Sequence, residues 1–256
     1  ELDRNDPEIL FNLGGVYLLK DMYARAADVF EKAIKIDPTD TTGYANLAAA
    51  YGMLKAHDKE IVALKKVLMF DPENKELRAA LSNAYFNSDR FEEAIDAALC
   101  VIEIDEKDTQ AYCNLGSCYA AQSMVDDAIK AFHKASELAP DYSLPHTNLG
   151  TLYANMGRPE TAIKELKISV SLNSQDAGAW MNLYACYKEV GLMEESQNAY
   201  SKYEAILNGP ESQEQAPGGD NPSNIPGGVS QTSKLASGSD LREDSAGLES
   251  LRESSE

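Results

Sequence analysis

Hydrophobic and small residues return along this chain at a fixed interval of 34. The clearest instance spans 109–142, where Tyr112, Leu115, Gly116 and Tyr119 are followed by Ala128, Phe132 and Ala135, and then by Pro140. Leu81, Tyr85 and Ala94 stand one interval upstream; Leu149, Gly150, Tyr153 and Ala162 stand one interval downstream. Such self-similarity governs the whole fold, so it is read before any single element. The register runs without insertion over six units: 7–40, 41–74, 75–108, 109–142, 143–176 and 177–210. Each unit reads as two helices, A and B, joined by a short polar break such as Lys20-Asp21-Met22. In the first unit helix B stops at Asp37-Pro38, because a residue preceding proline disfavours the α region.

Counted from the start of each unit, positions 4, 7, 8 and 11 cluster on one face of helix A at about 100° per residue. Small residues at positions 8 and 20 (Gly14 with Ala26, Gly116 with Ala128, Gly150 with Ala162) let the two helices approach closely. One helix pair cannot bury this face alone, so neighbouring pairs must stack into a solenoid. Some units depart from the pattern: Glu60 replaces alanine at position 20, and Glu106 and Ser174 stand where proline is expected. Pro145 and Pro159 lie near helix starts, where a missing N–H costs little. The sixth unit has Tyr184 for glycine and Ser196 for alanine, and reads as the C-terminal end of the array.

Leu-Gly, Tyr, Ala, Phe, Ala and Pro in this order and period resemble the tetratricopeptide repeat (TPR) family, over about four-fifths of the chain. The resemblance implies an all-α fold: a right-handed α-solenoid of six consecutive 34-residue helix-turn-helix units. It also implies a concave groove lined by one face of helix A.

Outside the units, residues 1–6 match the end of a preceding repeat, with Glu1-Leu2-Asp3 aligning on Lys35-Ile36-Asp37. A fragment or processed chain is therefore expected, and a removed targeting segment with it. Composition changes at Gly209: the stretch 209–256 is rich in Ser, Gly, Pro and acids and has no aromatic residue, so 211–256 is expected to be a disordered acidic tail. The net charge is −19, of which −6 belongs to 209–256 and −13 to residues 1–208. That excess opposes binding to nucleic-acid backbones, which needs clustered Lys and Arg, and no run is long enough to insert in a membrane.

Little in the sequence points to reaction chemistry. The four cysteines (Cys100, Cys113, Cys118, Cys186) contain no Cys-x-x-Cys pair and read as structural thiols of a reducing, cytoplasmic compartment. His57, His133 and His146 lie in different units. Paired acids such as Glu92-Glu93, Asp126-Asp127 and Glu194-Glu195 recur at the start of helix B, where carboxylates favour the helix dipole. Neither a phosphate-binding loop nor a nucleophile elbow occurs. The chain is read as non-enzymatic, with no metal or cofactor.

The remaining surface is the groove. Positions 2, 6, 9 and 13 of helix A lie opposite the core positions. Asparagine holds position 6 in five units (Asn12, Asn46, Asn114, Asn148 and Asn182), and Asn83, Asn87 and Asn155 fall at positions 9 or 13 of the same stripe. The whole stripe carries no Lys or Arg. A carboxamide offers a donor and an acceptor together and can pair with both groups of a peptide bond. The row resembles the asparagine ladder in the TPR superhelix of O-linked N-acetylglucosamine transferase, which implies a grip on the main chain of extended polypeptide. Co-chaperone TPR domains instead clamp a carboxylate terminus with Lys, Asn and Arg. Here position 5 is Phe11, Ala45, Ala79, Cys113, Thr147 and Met181, so the cations for that clamp are missing.

The reading is a protein-interaction adaptor or scaffold that binds extended segments of partner proteins. Two others stay open: a self-assembling scaffold whose exposed end repeats associate, and the targeting region of a larger enzyme such as a glycosyltransferase.

Overall fold

The computed structural model describes residues 6–208. These form twelve α-helices and no strand: α1 (Pro7–Leu19), α2 (Tyr23–Ile36), α3 (Thr41–Met53), α4 (His57–Leu68), α5 (Lys75–Asn87), α6 (Phe91–Ile104), α7 (Thr109–Ala121), α8 (Val125–Leu138), α9 (Leu144–Asn155), α10 (Pro159–Leu172), α11 (Ala177–Glu189) and α12 (Met193–Asn208). Odd-numbered helices are the A helices of the 34-residue register and even-numbered ones the B helices. The reading of 1–6 as the end of a preceding repeat lies, apart from Asp6, outside the described residues, as does that of 211–256 as a disordered tail.

Both helix starts repeat for local reasons. Asp6, Asp40, Asn74, Asp108 and Asp176 cap α1, α3, α5, α7 and α11, each side chain accepting from an N–H of the first turn. That satisfies one of the donors left unpaired at a helix start. At the A–B break, position 15 of every unit has positive φ: Asp21, Lys55, Asp89, Ser123, Gly157 and Gly191. The next N–H then turns back to the carbonyl of the tyrosine at position 11, as Met22 does to Tyr17 (2.9 Å) and Met124 to Tyr119 (2.8 Å). This left-handed closure ends helix A and aims helix B back along it.

The helices divide into two compact units, one up to Leu152 and one from Tyr153. Within the first, each helix from α1 to α8 packs on its neighbours in sequence, with lighter contacts between A helices (α1 with α3, α5 with α7). Nearest-neighbour stacking of this kind is that of an α-solenoid. Small residues at position 8 answer the side chain at position 24. A Cβ added at Gly14 would stand 2.5 Å from the Phe30 ring, and one at Gly116 would stand 2.6 Å from Phe132. Where position 24 holds a smaller residue, as in Leu64 or Ala98, position 8 holds Ala48 or Ser82. The buried Ser82 hydroxyl donates across the pair to the Ala94 carbonyl at 2.8 Å, joining positions 8 and 20.

The buried face of helix A differs from the expected one. Position 4 is only half-buried in every unit, whereas positions 3 and 10 join 7, 8 and 11 inside: Ala50, Ala84 and Cys118 are all at most 1 % exposed. The reason is the preceding repeat, which covers a second side of the helix. At Gly43 an added Cβ would meet Phe11 and Ile34 of the first repeat. In α1, with no described helix before it, Leu13 is 39 % and Val16 45 % exposed, while the leucines at position 7 of later repeats are 8 % or less.

In the second unit α10 packs on α11 and α11 on α12. Tyr184 and Tyr200 occupy positions 8 and 24 together with ring centroids 5.1 Å apart, and Ser196 donates to the Tyr184 carbonyl at 3.2 Å. The same contact is thus made with large residues and a hydroxyl where the other repeats use glycine or alanine.

Candidate functional site

In the first unit, the A-helix face turned away from the buried positions carries positions 2, 9 and 13. Glu8, Thr42, Glu76 and Gln110 at position 2 are exposed, as are Ala49, Asn83, Leu19 and Met53. Asparagine at position 6 lies at the edge of this face. At about 100° per residue it sits some 40° from position 10, which the preceding repeat buries. Its exposure follows: Asn12 is exposed, Asn46 and Asn114 are half-buried, and Asn148 is only 7 % exposed. Asn87 is half-buried beside the exposed Asn83. In the second unit Asn155 is exposed and Asn182 half-buried. The structure therefore brings Asn12, Asn46, Asn83, Asn87 and Asn114 to the accessible side of one compact unit, and draws Asn148 into the packing between helices.

A short relay orders one member of the row. Tyr142 donates its hydroxyl to Gln110 Oε1 at 2.8 Å, and Gln110 Nε2 donates to Asn114 Oδ1 at 2.9 Å. Partial burial pushes the Tyr142 phenol up to about 12, so it remains a donor at neutral pH. One lone pair of the Asn114 oxygen is thereby engaged, leaving its second lone pair and its N–H groups for another partner. Sequence reasoning missed this relay, because Tyr142 belongs to the end of the fourth unit and Gln110 to its start.

The cations near this face are committed elsewhere. Lys75 Nζ reaches Asp105 at 2.8 Å and Asp108 at 3.2 Å, which raises its pKa and lowers that of Asp105. Arg78 Nε donates to the Pro72 carbonyl at 2.6 Å. A second feature also went unread: position 30, at or just past the end of helix B, is apolar and wet, with Ile36 49 %, Phe70 57 % and Ile104 43 % exposed. Its signal is a large apolar residue just before an aspartate in each of the first three units. Around Phe70 it opens a cleft of about 560 Å³ between the starts of α3 and α5.

Other reactive side chains are occupied by packing. Burial pushes the thiols of Cys113 and Cys118 up to about 12 and that of Cys186 to about 11, far from a thiolate nucleophile. His57 Nδ1 meets Glu60 Oε2 at 3.0 Å, and burial raises the Glu60 pKa against the opposing pull of His57. Among the described residues, no helix is long and apolar enough to cross a membrane.

Stacked helix pairs with an accessible, amide-bearing A-helix face define an all-α helical-repeat protein of the interaction-scaffold class. Models of the tetratricopeptide repeat match residues 7–40, 109–142 and 145–176, which fall on the first, fourth and fifth units of the register. Among solved structures, MamA is 25 % identical with a TM-score of 0.55, over 63 % of this chain and 95 % of its own. YrrB, described as a TPR protein with an unusual peptide-binding site, is 22 % identical with a TM-score of 0.56, over 69 % of this chain and 91 % of its own. A tetratricopeptide repeat protein from Parabacteroides merdae shares the fold at 16 % identity and a TM-score of 0.68, over 80 % of each chain. None of the curated proteins matches. The chain is a tetratricopeptide repeat protein.

Proposed function

We propose that this protein is a non-catalytic scaffold that holds an extended segment of a partner polypeptide along the A-helix face, gripping it through the main chain. The observation that carries the reading is the recurrence of half-buried, accessible carboxamides at one repeat position, Asn46 and Asn114, on a face whose positions 2, 6, 9 and 13 hold no cation. Half-burial restricts their rotamers, and a carboxamide can answer both the N–H and the C=O of a passing peptide bond. Small neighbours (Ala45, Ala49 and Ser117) let a backbone come close. Asn148, nearly buried, contributes to packing first and to binding least. The acidic surface disfavours nucleic acid as the occupant.

The test is capture of short peptides from a displayed random library, followed by calorimetry of the best binder. Asn46→Ala combined with Asn114→Ala is expected to weaken binding by more than about 1 kcal/mol with thermal unfolding unchanged. Equal affinity in the double variant would reduce the row to a packing feature. A second reading, self-association through the first repeat, is favoured by the exposed Leu13 and Val16 of α1. Light scattering across a concentration series tests it, and a constant monomer mass would dismiss it.

A further inference from the structure

The cleft around Phe70 combines features that packing alone does not require. The apolar Val67, Phe70 and Leu77 line it together with the acidic Asp71 and Glu76; no Lys, Arg or His lines it. The Phe70 ring remains 57 % exposed. Asp71 is oriented by Asn74, whose Nδ2 donates to Asp71 Oδ2 at 2.9 Å, while the Asn74 oxygen caps α5. Glu76, in the first turn of α5, is exposed. Lys75, at the start of α5, is held by Asp105 and Asp108 rather than by these acids, and Arg78 Nε donates to the Pro72 carbonyl.

These features select among occupants. A purely aliphatic side chain would cover the ring, but would strip water from two carboxylates without replacing it. A side chain with an apolar stem and a cationic tip satisfies both parts, the stem on Val67 and Leu77 and the charge between the acids. An exposed aromatic ring adds attraction for a cation over its face. Arginine suits this better than lysine, because its planar fork can pair with a carboxylate and stack on a ring together. The −13 charge of residues 1–208 steers such a partner in the same direction. We propose that this cleft seats an arginine side chain of the bound segment, so that the partner is a basic, extended polypeptide. The proposal rests on the reading that the A-helix face holds a peptide: Thr42 and Ala45 of α3, next to Asn46 in the row, also line the cleft.

The experiment selects short random displayed peptides on the wild-type protein and on its Phe70→Ala and Glu76→Gln variants, whose exposed positions leave the fold intact by melting. Wild-type selection is expected to enrich arginine at one fixed place in the peptide, and both variants are expected to lose that preference. Replacing that arginine by citrulline, which keeps the shape and removes the charge, is expected to weaken wild-type binding about tenfold. Peptides recovered without a basic preference, or arginine and citrulline bound equally, would overturn the arginine seat and leave the A-helix reading standing. Recovery of no peptide at all would overturn the A-helix reading and this inference with it.

Discussion

Gly14 and Gly15 are adjacent in α1, yet replacing each by alanine is expected to have unequal effects on stability. Glycine in a helix interior costs about 1 kcal/mol relative to alanine, so both substitutions begin with that gain. At Gly15 nothing lies within 4 Å of the added methyl, and the full gain is retained. At Gly14 the methyl would stand 2.5 Å from Phe30 Cε1 and 2.6 Å from its Cζ. Carbon contacts settle near 3.5–4 Å, so the ring must withdraw by about 1 Å. Phe30 is fully buried, with Phe11 stacked 6.4 Å away, and has little room to move. Overpacking a dense core costs about 1–3 kcal/mol, which offsets or exceeds the propensity gain and leaves Gly14→Ala about 0–2 kcal/mol below wild type. Urea unfolding followed by far-UV circular dichroism should therefore separate the two variants by about 1–3 kcal/mol, with Gly15→Ala above wild type and Gly14→Ala at or below it. The second repeat already pairs Ala48 with Leu64, both buried. Adding Phe30→Leu to Gly14→Ala should accordingly cost less than the sum of the single changes. If Gly14→Ala stabilises as much as Gly15→Ala, the pairing of positions 8 and 24 as a size-matched contact is wrong.

Three other perturbations follow from the same geometry. Lys55 closes the second A–B break at φ 55°, where a side chain costs about 1 kcal/mol relative to glycine; Lys55→Gly should raise the melting temperature, and a fall would deny the left-handed closure its strain. Burial raises the Glu60 pKa, so protonation favours the folded state and the ionised group opposes it. Glu60→Gln should match wild type below the ordinary glutamate pKa and exceed it increasingly as pH rises through the raised one, read as the difference between their unfolding midpoints; a pH-independent difference would contradict this. Under native conditions iodoacetamide should modify the partly exposed Cys100 well before the buried Cys113, Cys118 and Cys186, as read by mass spectrometry of the peptides; uniform labelling would contradict the packing of those thiols.

Much of this architecture was legible in the residues because each repeat solves the same local problem. Small side chains at positions 8 and 20, a tyrosine at 11 and an acid or amide before helix A are set by contacts inside one helix pair, so the 34-residue period reports them directly. Position 3 was not legible, and position 10 only through the packed thiols of Cys118 and Cys186: Gly43, Ala50 and Ala84 are small, and a different repeat covers that side of the helix. The left-handed residue at position 15 was hidden for a similar reason, since four of the six units use Asp, Lys or Ser rather than glycine there. Of the candidate site, the asparagine row and its freedom from cations could be read, but the gradient from exposed Asn12 to buried Asn148 could not, because a neighbouring repeat sets it. The exposure of the Phe70 ring was not legible either, because it depends on how the helices pack around it.

The grip on a peptide main chain is tested most directly by the side-chain amide resonances of the asparagines in an NMR titration with a library-selected peptide. Those of Asn46 and Asn114 should shift and saturate together with the peptide's own backbone amides, while those of the exposed Asn173 and Asn198, which lie off the A helices, stay in place. Saturable binding that leaves Asn46 and Asn114 unmoved would place the partner on another surface and contradict the account.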